Sequence, residues 1–99
     1  MLSIKKTIED GKAVFALTGR LDTTTAPELE AELTPSLDGV SELTLDLEGL
    51  EYVSSAGLRV FLAAQKVMNR QGSMLVRHAK EPVMEVFEVT GFSNSLTLV

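Results

Sequence analysis

Leu43-Thr44-Leu45-Asp46-Leu47-Glu48-Gly49-Leu50-Glu51-Tyr52-Val53-Ser54-Ser55-Ala56-Gly57-Leu58-Arg59 is the stretch on which the fold turns. Leu43, Leu45 and Leu47 alternate with Thr44, Asp46 and Glu48, the period of a strand with one polar face, ending near Gly49. After the small polar residues, Leu58, Phe61, Leu62 and Met68 share one helical face, broadened by Val60, Ala64 and Val67, and Gly72 is placed to end that helix at C′. A strand therefore runs through a short loop into a helix.

Upstream, Leu2, Ile4 and Ile8 alternate with Ser3, Lys5, Thr7 and Glu9, and Asp10-Gly11 supplies a turn. The run Ala13-Val14-Phe15-Ala16-Leu17 is apolar on both faces, as expected for a strand deep in a sheet and paired with the first as a hairpin. Thr25-Ala26-Pro27-Glu28 fits a capping box opening a helix whose buried stripe is Leu29, Leu33 and Leu37, with Asp38-Gly39 as its stop. Downstream, Met74-Leu75-Val76 makes a short strand, Pro82 opens a third helix through Val83, Val86 and Phe87, Gly91 closes it, and Leu96 to Val99 forms a last strand. The expected order is β-β-α-β-α-β-α-β. This is an α/β fold, one domain over residues 1–99, with a mixed sheet and right-handed crossovers.

A chain of 99 residues, 44% hydrophobic, holds one core and leaves little room for a separate catalytic domain. A formal charge of −5 disfavours a sequence-independent grip on nucleic acid and suits a basic protein partner. Without cysteine there is neither disulfide nor thiolate chemistry, and a reducing compartment is permitted. No apolar run after Lys5-Lys6 resembles a secretory h-region, and none approaches a membrane span, so a cytoplasmic location is expected.

The joint between the best strand and the best helix is where α/β proteins place function. Two serines at a helix start allow one hydroxyl to cap free amides and leave the other for a partner, while Ala56 and Gly57 keep the approach open. Capping alone accounts for either serine.

Val53-Ser54-Ser55-Ala56-Gly57-Leu58-Arg59 resembles the signature of the STAS superfamily, particularly its bacterial anti-sigma factor antagonists. Gly19-Arg20-Leu21-Asp22 is similar to that family's Gly-x-Leu-Asp pattern, and Leu45-Asp46-Leu47, Gly72 and Val89-Thr90-Gly91-Phe92 sit where the family has corresponding features. The resemblance implies a STAS-like domain that is not an enzyme and uses no cofactor. It implies phosphorylation at Ser55, with Ser54 as second candidate, and partner contacts through Asp22, Thr23, Ser54, Ser55, Ala56, Gly57 and Arg59. The implied partners are an anti-sigma factor that is also a serine kinase, and a PP2C-like phosphatase that resets the switch. A monomer is the simplest expectation. Ser54 stands where well-known members often carry aspartate, and the chain stops soon after its last strand where many relatives add a helix.

Other readings carry less. An enzyme with Ser55 as nucleophile lacks Gly-x-Ser-x-Gly and would need the lone His78 as its base. Asp22, Asp46 and Glu51 fit no compact calcium loop, and Asp46 suits a polar strand face; Asp22 either anchors the loop before the first helix or, by the resemblance, flanks the partner surface. Arg59 binds a phosphate, pairs locally or faces solvent. No glycine-rich phosphate cradle supports nucleotide binding. The alternative function is a STAS-like scaffold subunit of a transporter or lipid-trafficking complex that is never phosphorylated.

Overall fold

In the computed structural model, which describes residues 1–99, Asp10 and Gly11 both take positive φ (51° and 78°) and turn the chain back on itself. This is the conformation a two-residue Asp-Gly hairpin turn requires. It pairs β1 (Leu2–Glu9) antiparallel with β2 (Lys12–Leu21), from Leu2 opposite Gly19 to Glu9 opposite Lys12. Next, α1 (Ala26–Ser36) carries the chain to β3 (Glu42–Val53), parallel to β2, and α2 (Ser55–Gln71) carries it to β4 (Ser73–Arg77), parallel to β3. The four-stranded sheet has the order β1-β2-β3-β4, and α3 (Glu81–Thr90) follows. The expected order holds through α3.

Every helix contributes to one cluster on one face of the sheet. Leu29 and Leu33 of α1, Leu58, Phe61 and Met68 of α2, and Val83 and Phe87 of α3 meet Ala13, Phe15, Leu17, Leu43, Leu45, Leu47, Met74 and Val76 from the strands. The rings of Phe61 and Phe87 pack edge to face, 6.3 Å between centroids. The opposite face stays open: Val14 is 39% exposed, and Ala16, Thr44 and Leu75 are only half-buried. β2 lies inside the sheet between β1 and β3, as expected, yet Val14 and Ala16 on its open face are not covered. All three helices sit on the same side, so alternation rather than composition decides which residues of β2 are buried.

Two further expectations change. The strand at residues 96–99 is a single bridge of Leu98 to Val76, held by the Val76 amide donating to Thr97 O (2.9 Å) and the Val99 amide donating to Val76 O (3.0 Å). The short turn Phe92–Asn94 after Gly91 leaves little chain to extend it. Gly72 ends α2 as expected, with extended φ (171°), and glycine is needed because a Cβ there would collide with the backbone of Ser41, whose carbonyl accepts the Ser73 amide. Finally, β3 does not stop near Gly49 but continues to Val53 through two irregularities, where Asp46 pairs with Ala16 and Gly49 with Thr18, and Leu50 pairs with Gly19 and Tyr52 with Arg20. Each inserts one extra residue into β3 and resets the side-chain phase, which turns Leu47, Leu50 and Val53 all inward at three-residue spacing.

Candidate functional site

Because β3 runs on to Val53, Ser54 alone separates it from α2. The Ser54 amide donates to Leu21 O (2.8 Å), tying the joint to the end of β2. Its hydroxyl accepts the Gly57 amide (3.3 Å), so Ser54 is the helix cap. Ser55 is then the first helical residue, exposed, with its hydroxyl bonded to no protein group, and the amides of Ser55 and Ala56 have no protein acceptor. No acidic residue occupies the first turn of α2. The two serines thus divide the roles of cap and free hydroxyl, and a free hydroxyl beside two open amides at a positive helix end suits an anionic group.

Gly57 fixes how closely this turn approaches the sheet. A Cβ on it would lie 2.5 Å from Leu21 Cγ and 3.1 Å from Val53 Cγ2. Overpacking of this kind costs about 1–3 kcal/mol, partly offset by the better helix propensity of alanine. Gly57→Ala is expected to lower unfolding stability by about 1–2 kcal/mol, checked by urea denaturation; an unchanged midpoint would show that Leu21 gives way freely.

The loop from β2 to α1 forms the adjoining wall. Its expected capping box does not form: Thr25 is the N-cap residue, yet its side chain makes no cap bond and instead donates to Arg20 O (2.9 Å) while accepting the Asp22 amide (2.8 Å). Asp22 takes over the ordering. Its Oδ1 accepts from the Thr24 amide (3.0 Å), the Thr24 hydroxyl (2.7 Å) and the Thr25 amide (3.1 Å). The Thr24 hydroxyl above all, aided by these amides and opposed by partial desolvation, holds the Asp22 carboxyl below the usual carboxylate range. Asp22 therefore anchors its own loop. Thr23 beyond it is exposed and lines, with Ala26, Pro27, Ala56, Arg59 and Val60, a shallow depression of about 230 Å³ between α1 and α2. Of the contact residues the sequence suggested, Thr23, Ala56 and Arg59 meet here; Ser54 and Gly57 serve the joint, and Ser55 stands free beside it.

His78 lies elsewhere in the bonding scheme. It sits just after β4 with φ 59°, its Nδ1 3.0 Å from Asp46 Oδ1, so the ring is committed to a carboxylate rather than to Ser55 and no nucleophile–base pair is formed. Glu48 completes a group with Asp46 and His78 whose ligand atoms lie within 4.8 Å of one another, the one place where a cation could find three side chains; Asp22 and Glu51 are not part of it. Burial pushes the Asp46 carboxyl up, but the Glu48 amide, His78 and Arg77 outweigh it and hold it below the usual range. A carboxyl lowered on folding stabilises the folded state above its unfolded value, about 4, and loses that contribution as pH falls through the folded value. Asp46→Asn is expected to lower stability at pH 7 by no more than about 1 kcal/mol, since the pair is solvent-screened, with the gap to wild type closing as the pH is taken well below the unfolded carboxylate value of about 4. Denaturation midpoints at the two pH values check this; a gap independent of pH would assign the loss to packing.

Sequence reasoning missed one feature. Arg20 and Tyr52 pair across β2 and β3, with the guanidinium carbon 4.4 Å from the ring centroid. Their partnership depends on both irregularities of β3, which no local pattern announces.

A family model described as "Mlab, STAS domain" matches residues 4–99. The chain is similar to the putative anti-sigma factor antagonist BtrV of Bordetella bronchiseptica, 42% identical over 85 residues that cover 84% of this chain and 73% of that protein. It is also similar to the anti-sigma-B factor antagonist of Staphylococcus aureus, 33% identical over 95 residues, covering 94% of this chain and 88% of the relative. Among solved structures, an anti-sigma factor antagonist from Mycobacterium paratuberculosis superposes with a TM-score of 0.89 at 23% identity, over 99% of this chain and 85% of that one, which shows the shared fold.

Proposed function

The chain belongs to the STAS-domain family, and from that premise we propose that it is an anti-sigma factor antagonist, a non-enzymatic partner switch controlled by phosphorylation of Ser55. The observation that carries the reading is the division of labour at the strand-to-helix joint. Ser54 caps α2, which leaves the Ser55 hydroxyl exposed and unbonded in front of two open amides. A phosphate on Ser55 adds about −1.5 to −2 charges at a helix N-terminus, where the macrodipole and free amides accept it without rearranging the fold. A partner lying over the joint meets new bulk and charge at its interface. The unphosphorylated protein captures an anti-sigma factor and frees the sigma factor; the anti-sigma factor, acting as an ATP-dependent serine kinase, releases itself by phosphorylating Ser55. A PP2C-like phosphatase restores the first state. The protein works in the cytoplasm as a monomer. The names of the similar proteins support the antagonist role over that of a scaffold subunit.

The role is tested by mixing the purified protein with the anti-sigma factor encoded nearest to it, preloaded with its sigma factor. The reading predicts displacement of the sigma factor in the presence of ADP. No complex with any encoded anti-sigma factor, together with co-purification of transporter subunits, would replace it with the scaffold reading.

A further inference from the structure

Immediately before the two loops that build the proposed interface, β2 and β3 place Arg20 opposite Tyr52. The next residues, Leu21 and Val53, are fully buried, so Arg20 and Tyr52 project to the open face of the sheet. Tyr52 is 38% exposed and the Arg20 side chain 56% exposed, so the stacked pair is reachable from solvent. Stacking on the ring restrains the guanidinium while leaving its in-plane donors available. Those donors have no strong partner in the protein. The Asp22 carboxylate approaches Arg20 Nε only at 4.0 Å, and its other oxygen is taken by Thr24 and Thr25. The Arg20 carbonyl is itself fixed by the Thr25 hydroxyl, and the Ser54 amide bonds Leu21 O, so the pair is rigidly joined to the Ser54-Ser55 corner.

A restrained arginine with unused donors, laid on an exposed aromatic ring, has the composition of an interface hot spot. Its fork fits a carboxylate bidentately. We propose that Arg20 and Tyr52 form an anchor for a carboxylate-bearing segment of the anti-sigma factor, extending the docking surface from Ser55 onto the open face of the sheet. This rests on the proposed antagonist function. Because the pair is preformed, little side-chain freedom is lost when the partner binds.

Binding of the intact protein to the anti-sigma factor with ADP, measured by calorimetry for wild type, Arg20→Ala, Arg20→Lys, Tyr52→Ala, Tyr52→Phe and the Arg20→Ala/Tyr52→Ala double variant, tests the anchor. Arg20→Ala and Tyr52→Ala are each expected to weaken binding about tenfold or more, and Arg20→Lys nearly as much, because lysine keeps the charge but lacks the fork. Tyr52→Phe, which keeps the ring, should stay within about twofold, and the double variant should lose less than the product of the single losses. Urea midpoints separate these losses from unfolding. Wild-type-like binding by folded Arg20→Ala and Tyr52→Ala, while Ser55→Asp still blocks the complex, would overturn the anchor and leave the switch standing. Absence of binding by wild type would overturn both. Dimerisation of wild type that Arg20→Ala abolishes would identify a second copy as the occupant and overturn the proposal.

Discussion

Ser55→Asp is expected to weaken binding to the anti-sigma factor by about 100-fold, equivalent to about 2.7 kcal/mol, with Ser55→Ala remaining within a few-fold of wild type. The asymmetry follows from position. Ser55 is exposed and its hydroxyl bonds no protein group, so removing it costs the free protein almost nothing. A negative charge at the same place is tolerated by the open amides of α2 but meets the partner's surface directly. Thermal stability should therefore be nearly equal in all three proteins while affinity separates them. Calorimetric titrations and melting curves check this together. Equal loss of affinity in Ser55→Ala and Ser55→Asp would mean that the hydroxyl is an ordinary contact rather than the point where charge acts.

The largest effect on stability is expected at Phe87, where truncation to alanine should cost about 3–5 kcal/mol. Phe87 is fully buried and packs edge to face against Phe61, and with Val83 it supplies the buried surface of α3. Met84 and Val86 pack against the core only half-buried and Val89 is 80% exposed, so the rest of α3 replaces little of the lost contact. A small domain has a total margin of about 5–15 kcal/mol, so the loss would consume much of it. Urea denaturation reads the change as a large drop in midpoint; a drop corresponding to less than about 1 kcal/mol would mean that α3 is held by other contacts. Val89→Ala, on the exposed side of the same helix, should change little.

The parts of the molecule that were legible before the structure are those governed by local period. Leu43, Leu45 and Leu47 announce β3, Leu29, Leu33 and Leu37 announce α1, and Asp10-Gly11 announces the hairpin, because each depends only on near neighbours in sequence. The parts that were not legible depend on competition or register. Thr25 has the makings of a capping box, but the Arg20 carbonyl and the Asp22 amide claim its hydroxyl. Residues 50–53 look like a loop because two irregularities break the alternation that would mark a strand. The last strand shrinks to one bridge because the turn Phe92–Asn94, which no periodicity announces, takes up the chain that would extend it. At the joint, the pair of serines was visible as a pair; only backbone geometry assigns the cap to Ser54 and the free hydroxyl to Ser55.

The most direct test of the switch is intact and tandem mass spectrometry after incubation with ATP and the anti-sigma factor kinase. The expected result is one added phosphate, about 80 Da, located on Ser55 and absent from Ser55→Ala. A phosphate located on Ser54 or elsewhere, or one that persists in Ser55→Ala, would contradict it.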